Sequence, residues 1–264
     1  MGTKVSQLTP PTGGLQIWLN SNRTDSYSGS GTTWTDLSGN GYDFTLVNPS
    51  TVSTGSKTFF EFGDTAVTGN ARYAYNTADF TGGFPFEFND SGSFVVVLRR
   101  KNTLSIIGTY ISINSDTTVR TDDIDNFIRV NLDSGANSVF NNNSNGGGND
   151  TYLTASAAEF TTSEPTVLWG RWDNALSAPN EFQHGVNTTG SFSYKNSGGG
   201  NGVWAPFTSA NAKRVQFGNN ADTDQPEADP LNQLYGEVLF YSKRLSDAEL
   251  DEALTYARDY WGVT

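Results

Sequence analysis

Apolar residues along this chain fall in short runs, mostly at alternate positions, separated by stretches of Gly, Asn, Ser and Thr. Alternation with period two is the pattern of half-buried β-strands. Leu15 to Leu19 (Leu-Gln-Ile-Trp-Leu) predicts the first strand. In Phe59-Phe-Glu-Phe, Phe60 and Phe62 share one face and Glu61 takes the other, with a turn at Gly63 and Asp64. Phe94-Val-Val-Val-Leu98 is apolar without a break, as in a central strand buried on both faces. Further strands are expected over Leu104 to Ile113, with an interruption at Gly108, and over Asn126 to Leu132, Val167 to Trp172 and Arg214 to Phe217. Gln183 to Val186 and Ser191 to Tyr194 are weaker runs, and Glu237 to Tyr241 is the last strong one. The total is roughly ten to fourteen strands.

One segment breaks the pattern. Ser246 with Glu249 three positions on is a capping box, so a helix starts there. Leu245 and Leu250 form the hydrophobic staple. Leu250, Ala253, Leu254, Ala257 and Trp261 then fall on one helical face, and Gly262 is placed to stop the helix. No other stretch predicts a helix. The connections are long and polar: Asn20 to Gly31, Asn141 to Asp150, Asn196 to Gly202 and the acidic Asn219 to Pro230. Asn141 to Asp150 reads as a flexible loop or as a Gly-rich turn between strands. In Trp34-Thr-Asp-Leu-Ser-Gly-Asn-Gly-Tyr, the Gly39-Asn40-Gly41 cluster supplies positive-φ positions and Asp36 caps the turn, with Trp34 and Leu37 pinning it to the core. Residues 1–14 carry Pro10, Pro11, Gly13 and Gly14 and read as an extended arm ahead of one domain over 15–264. The fold class is all-β: a two-sheet antiparallel jelly-roll sandwich with one short C-terminal helix.

Composition adjusts this picture at three points. Hydrophobic residues are only 35 %, but aromatic ones are 13 %, and their large rings fill a sizeable core from few side chains. The formal net charge of −12 argues against a nucleic-acid partner, which needs clustered Lys and Arg, and against an anionic membrane surface. No cysteine is present, so disulfides and thiolate chemistry are excluded. No apolar run approaches the roughly 20 residues that span a bilayer. No signal peptide is visible either, so a chain starting naturally at Met1 is expected to stay unexported, and an extracellular place needs a leader already removed.

The end motifs carry a resemblance. Leu15-Gln-Ile-Trp-Leu followed by Trp34-Thr-Asp-Leu-Ser-Gly-Asn-Gly-Tyr resembles the opening of laminin-G-like, concanavalin A-like lectin and glucanase domains. Phe60-Glu-Phe-Gly-Asp, Ser93-Phe-Val-Val-Val-Leu and Gly236-Glu-Val-Leu-Phe-Tyr-Ser-Lys-Arg-Leu-Ser-Asp-Ala-Glu-Leu are similar to their later landmarks. The resemblance spans about Leu15 to Gly262 and implies the fold, which hosts lectins, glycosidases, adhesion modules and virion parts alike. Lys4-Val-Ser-Gln-Leu-Thr-Pro-Pro-Thr-Gly also resembles N-terminal segments of tailed-phage head-fibre and decoration proteins. That second likeness implies a virion-surface protein whose arm binds the major capsid or another virion protein through Val5, Leu8, Pro10 and Pro11. Trimers are common among such proteins, but no coiled coil here encodes a homo-oligomer.

Candidate chemistry is sparse. Concanavalin-like glucanases place carboxylates in a Glu-x-Asp-x-x-Glu run on a strand, and no such run occurs, so an enzyme is not expected. His184 is the single histidine, and it leaves no multi-histidine metal site. Gly146-Gly-Gly and Gly198-Gly-Gly lack the strand-to-helix context of a phosphate cradle. Calcium is the candidate cofactor, at Asp222, Asp224, Glu227 and Asp229 in one loop, with Asp122, Asp123 and Asp125 as a second cluster; a solvated acidic loop is the plainer alternative. For sugar stacking and hydroxyl contacts the candidates are Trp204, Phe207, Tyr194 and Asn201, whereas Trp18, Trp169 and Trp172 sit in strand patterns and belong to the core. The first expectation is a non-enzymatic virion accessory protein displaying a lectin-like domain for stabilisation or host-surface contact. The alternative is a carbohydrate-binding module or lectin, with calcium optional.

Overall fold

Strand β16 (Gln233–Tyr241) organises the first of two sheets. A computed structural model describes residues 8–62, 72–76, 91–100, 108–114, 126–132, 138–142, 151–155, 164–173, 175–176, 182–187, 193–196, 214–218 and 233–263. On one edge β16 pairs along its length with β7 (Ser91–Arg100), which pairs with β12 (Thr166–Asp173) and that with β13 (Phe182–Val186). The other edge is shared by two strands placed end to end. Gln233, Leu234 and Tyr235 pair with β5 (Lys57–Phe62), while Glu237 to Tyr241 pair with β1 (Leu15–Asn20). Gly236 lies between these two stretches and marks a register shift in the pairing with β7, and the Trp261 ring lies so close that an added Cβ would stand 2.7 Å from it. With β4 (Thr51–Thr54) on β5, this sheet has seven strands.

The second sheet has nine strands, in the order β14 (Ser193–Asn196), β11 (Thr151–Ala155), β10 (Ser138–Asn142), β9 (Asn126–Leu132), β8 (Gly108–Asn114), β15 (Arg214–Phe217), β6 (Tyr73–Asn76), β3 (Phe44–Val47) and β2 (Thr33–Trp34). All the pairings are antiparallel, and the architecture is the expected two-sheet sandwich. Sixteen strands and one helix, α1 (Asp247–Trp261), occur among the described residues, more strands than the apolar runs predicted. The additional ones, such as Thr51–Thr54, Ser138–Asn142 and Thr151–Ala155, are rich in Thr, Ser and Asn and carry little apolar signal. Ladder hydrogen bonds and cross-strand neighbours, not hydrophobic alternation, make them strands.

Two cores follow from three layers. Between the sheets, Trp34, Phe44, Phe60, Phe62, Phe94, Phe217, Tyr235 and Phe240 pack almost wholly buried. Between the seven-stranded sheet and α1, Trp18, Phe59, Val95, Val97, Trp169, Leu239 and Tyr241 meet Leu250, Ala253, Leu254, Ala257 and Trp261. The helix starts and stops where expected. Ser246 accepts from the Glu249 amide, the Glu249 side chain accepts from the Ser246 amide, and Gly262 closes the helix at φ 71°. The segment leading into α1 is pinned by Ser93, whose hydroxyl donates to the Lys243 carbonyl and accepts from the Leu245 amide. Arg171 adds bonds to the Leu245 carbonyl at 2.9 Å and to Asp247 at 2.5 Å.

The Trp34-to-Tyr42 loop covers the free edge of β1. Asp36 Oδ1 accepts from the Trp18 amide at 2.9 Å, and the Leu37 amide donates to the Trp18 carbonyl at 2.8 Å. Ser38 Oγ donates to the Gln16 carbonyl at 2.7 Å, and Asn40 Nδ2 reaches the Leu15 and Gln16 carbonyls. The remaining Asp36 lone pairs take Ser38 and the Tyr42 amide, so this carboxylate is spent on the turn, as its capping role predicts. Within the arm, Pro10 is buried, Pro11 is half-buried and Leu8 is 44 % exposed. The Gly14 carbonyl accepts from the Ser242 amide at 2.8 Å, which ties the arm's end to the turn after β16. Val5 lies outside the described residues. Among the described residues no helix is long and apolar enough to cross a membrane.

Candidate functional site

The nine-stranded sheet has two unlike faces, and its register defines both. Paired residues on neighbouring antiparallel strands share a face. One row runs through Leu46, Ala74, Phe217 and Ile111, all buried in the inter-sheet core. One residue along, the next row belongs to the opposite, outer face. There Thr45 pairs with Tyr75, Tyr75 with Gln216, Gln216 with Ser112 and Ser112 with Arg129. The same line continues through Asn141 and Tyr152 to Lys195. Thr45 is exposed, Tyr75 is partly exposed and Gln216 is buried in the middle of the sheet.

Tyr73 and Tyr75 form the aromatic part of this face. They are two residues apart on β6, with Ala74 between them in the core, and their ring centroids are 5.8 Å apart at 39°. Both rings are partly exposed. Aromatic faces pack against the C–H surfaces of pyranose rings, and neutral Thr, Gln, Ser and Asn groups bond hydroxyls without the desolvation cost of a charge. On this face Tyr73, Tyr75 and Thr45 have contact with solvent, an aromatic pair beside a hydroxyl. The sequence signal was the Tyr73-Ala74-Tyr75 alternation, too short against an irregular aromatic neighbourhood to be read as a strand.

The helix side of the molecule uses its polar groups internally. Glu237 is fully buried, and its carboxylate accepts from Trp18 Nε1 at 2.7 Å, Asn20 Nδ2 at 3.0 Å, Tyr256 OH at 2.6 Å and Trp261 Nε1 at 2.7 Å. Burial raises its pKa, and these four donors oppose the rise. His184 is also fully buried, and its Nδ1–H donates to the Trp169 carbonyl at 2.5 Å. Burial pushes its pKa down to about 4, so the ring is neutral. Glu61 is paired with Arg72 at 2.8 Å and accepts from Ser50. These groups bind helix to sheet and strand to strand.

Of the sugar-stacking and metal candidates drawn from the sequence, Tyr194 alone falls among the described residues. Trp204, Phe207 and Asn201 lie outside the described residues, as do Asp222, Asp224, Glu227, Asp229, Asp122, Asp123 and Asp125. Tyr194 is in the edge strand β14, where its register partner is Leu153. Leu153 pairs with Phe140, Phe140 with Val130 and Val130 with Ile111, so Tyr194 is in line with the core row and not with Tyr75. Trp18, Trp169 and Trp172 are buried, as their strand patterns predict. Among the described residues no three His, Cys, Asp or Glu side chains come together as a metal site.

No protein-family model matches the sequence, and no curated protein matches it. Solved structures do. A Trypanosoma rangeli sialidase in complex with sialic acid superposes with a TM-score of 0.60 at 14 % identity, over 96 % of this chain and 34 % of the sialidase. The binding domain of botulinum neurotoxin DC in complex with SialylT gives 0.59 at 11 % identity, over 92 % and 52 %. The same toxin domain in complex with rat synaptotagmin II gives 0.59 at 10 % identity, over 92 % and 51 %. This chain thus spans about a third to a half of those proteins. Neither is a virion component, so capsid decoration gains no support from them. At these identities the likeness speaks for the fold alone: the chain has the concanavalin A-like lectin and glucanase fold.

Proposed function

We propose that this protein is a carbohydrate-binding domain that takes an oligosaccharide on the outer face of its nine-stranded sheet. The observation that carries this reading is the pair of partly exposed rings, Tyr73 and Tyr75, on one face with the exposed Thr45, the register partner of Tyr75. Two structural neighbours of the same fold are proteins solved with sialic acid and with SialylT, which supports a sugar as ligand. Stacking on each ring is expected to contribute about 1 kcal/mol. Tyr73→Ala with Tyr75→Ala should therefore weaken glycan binding by roughly thirtyfold on an array or by calorimetry. The same variant should keep its circular-dichroism spectrum. Undiminished binding in the folded double variant would remove the outer face as the site.

A further inference from the structure

Acidic residues are absent from every strand of the nine-stranded sheet. The chain has 28 Asp and Glu against 16 Lys and Arg, yet none of the nine strands contains an Asp or Glu. Their charged residues are Arg129, Lys195 and Arg214, all basic. Helix α1 on the far side has the opposite balance, with Asp247, Glu249, Asp251, Glu252 and Asp259 against Arg258. Register then selects where two of the three cations stand. Arg129 and Lys195 occupy the same row as Tyr75 and Gln216, and Arg214 is two residues from Gln216 on β15.

We propose that the ligand of this face is an acidic oligosaccharide with spaced carboxylate or sulfate groups, one held at Arg129 and another at Lys195. This rests on the reading of the outer face as a glycan site. Arg129 and Lys195 each stand about three strand spacings from the next landmark of the row, roughly 14 Å, so the face suits an extended chain better than a single sugar. A carboxylate or sulfate meets Arg and Lys through charge-assisted hydrogen bonds, and an acid-free sheet avoids the repulsion that the overall charge of −12 would impose. A nucleic acid shares the anionic chemistry, but its closely spaced phosphates would be repelled by the acidic remainder of the molecule.

The test is an array of matched glycans, each neutral oligosaccharide printed beside its sialylated and its sulfated form, with a DNA duplex as an anionic control. Stronger binding to the acidic member is expected, falling in about 0.5 M salt. Arg129→Gln and Lys195→Gln should each reduce acidic-glycan binding about fivefold more than neutral-glycan binding. Equal binding of neutral and acidic partners would overturn this inference and leave the carbohydrate-binding reading in place. Binding of the DNA duplex as strong as that of the glycans would also overturn it. Binding to no glycan would remove both.

Discussion

The two outward sheet faces of this sandwich differ in their contact with solvent. The face under α1 is sealed: Trp18, Phe59, Val95, Trp169 and Leu239 are buried against the helix, and its one fully buried carboxylate, Glu237, is filled by four donors. On the outer face of the nine-stranded sheet, Thr45, Tyr73 and Tyr75 keep contact with solvent. Polar groups on the first face act on the protein itself, and the second is the face proposed to meet a glycan. Stability should therefore respond to changes on the helix side, and binding to changes on the other.

The strongest test of that division is Glu237→Ala. It would leave two indoles, one amide and one phenol buried without their acceptor, at a cost of about 3–5 kcal/mol. Thermal unfolding should move down by roughly 10 °C. A shift under about 2 °C would mean that the Glu237 network does not hold the helix to the sheet.

A smaller effect is expected from acid. Because the folded pKa of His184 is depressed to about 4 from its ordinary value of 6.5, its contribution is complete above pH 6.5 and is lost as pH falls toward 4. The window is worth up to about 3 kcal/mol. Glu237 works in the opposite sense. Its raised pKa favours the protonated form in the fold, so its contribution is greatest below the ordinary carboxylate range and declines as pH rises through the folded value. Comparing urea midpoints of the native chain and His184→Gln at pH 7 and pH 4.5 isolates the histidine. Equal losses in both chains would exclude it as the acid-sensitive group.

The smallest effect belongs to Ser246→Ala, which removes one cap from α1 and should lower stability by about 1 kcal/mol. It should leave glycan binding untouched. A parallel loss of binding would show that the helix side and the outer face are coupled, and the contrast between them would fail.

The parts of the fold that depend on local rules were readable in the sequence. Ser246 and Glu249 marked the helix start, Gly262 its end, and Phe94-Val-Val-Val-Leu98 a strand with neighbours on both sides. What local rules could not supply was partnership. Glu237 sits in an ordinary strand run, and only the meeting of β1, β16 and α1 surrounds it with Trp18, Asn20, Tyr256 and Trp261. The candidate face was hidden for the same reason. Tyr75, Gln216, Ser112 and Arg129 come from four strands separated by long connections, and only the ladder register aligns them. Tyr194 is placed by the same means: its register partner Leu153 sets it in line with Phe140, Val130 and Ile111.

The position of β16 has a consequence in time. This strand joins β7, β5 and β1 into one sheet, and it is the last of the sixteen to leave the ribosome. Until it emerges, β1 and β5 have no common neighbour and the helix has no surface to cover. A chain cut short before Gln233 has the fifteen other strands of the described residues and cannot close its first sheet. Closure requires contacts across more than 200 residues, which makes it slow and leaves the aromatic faces open during synthesis.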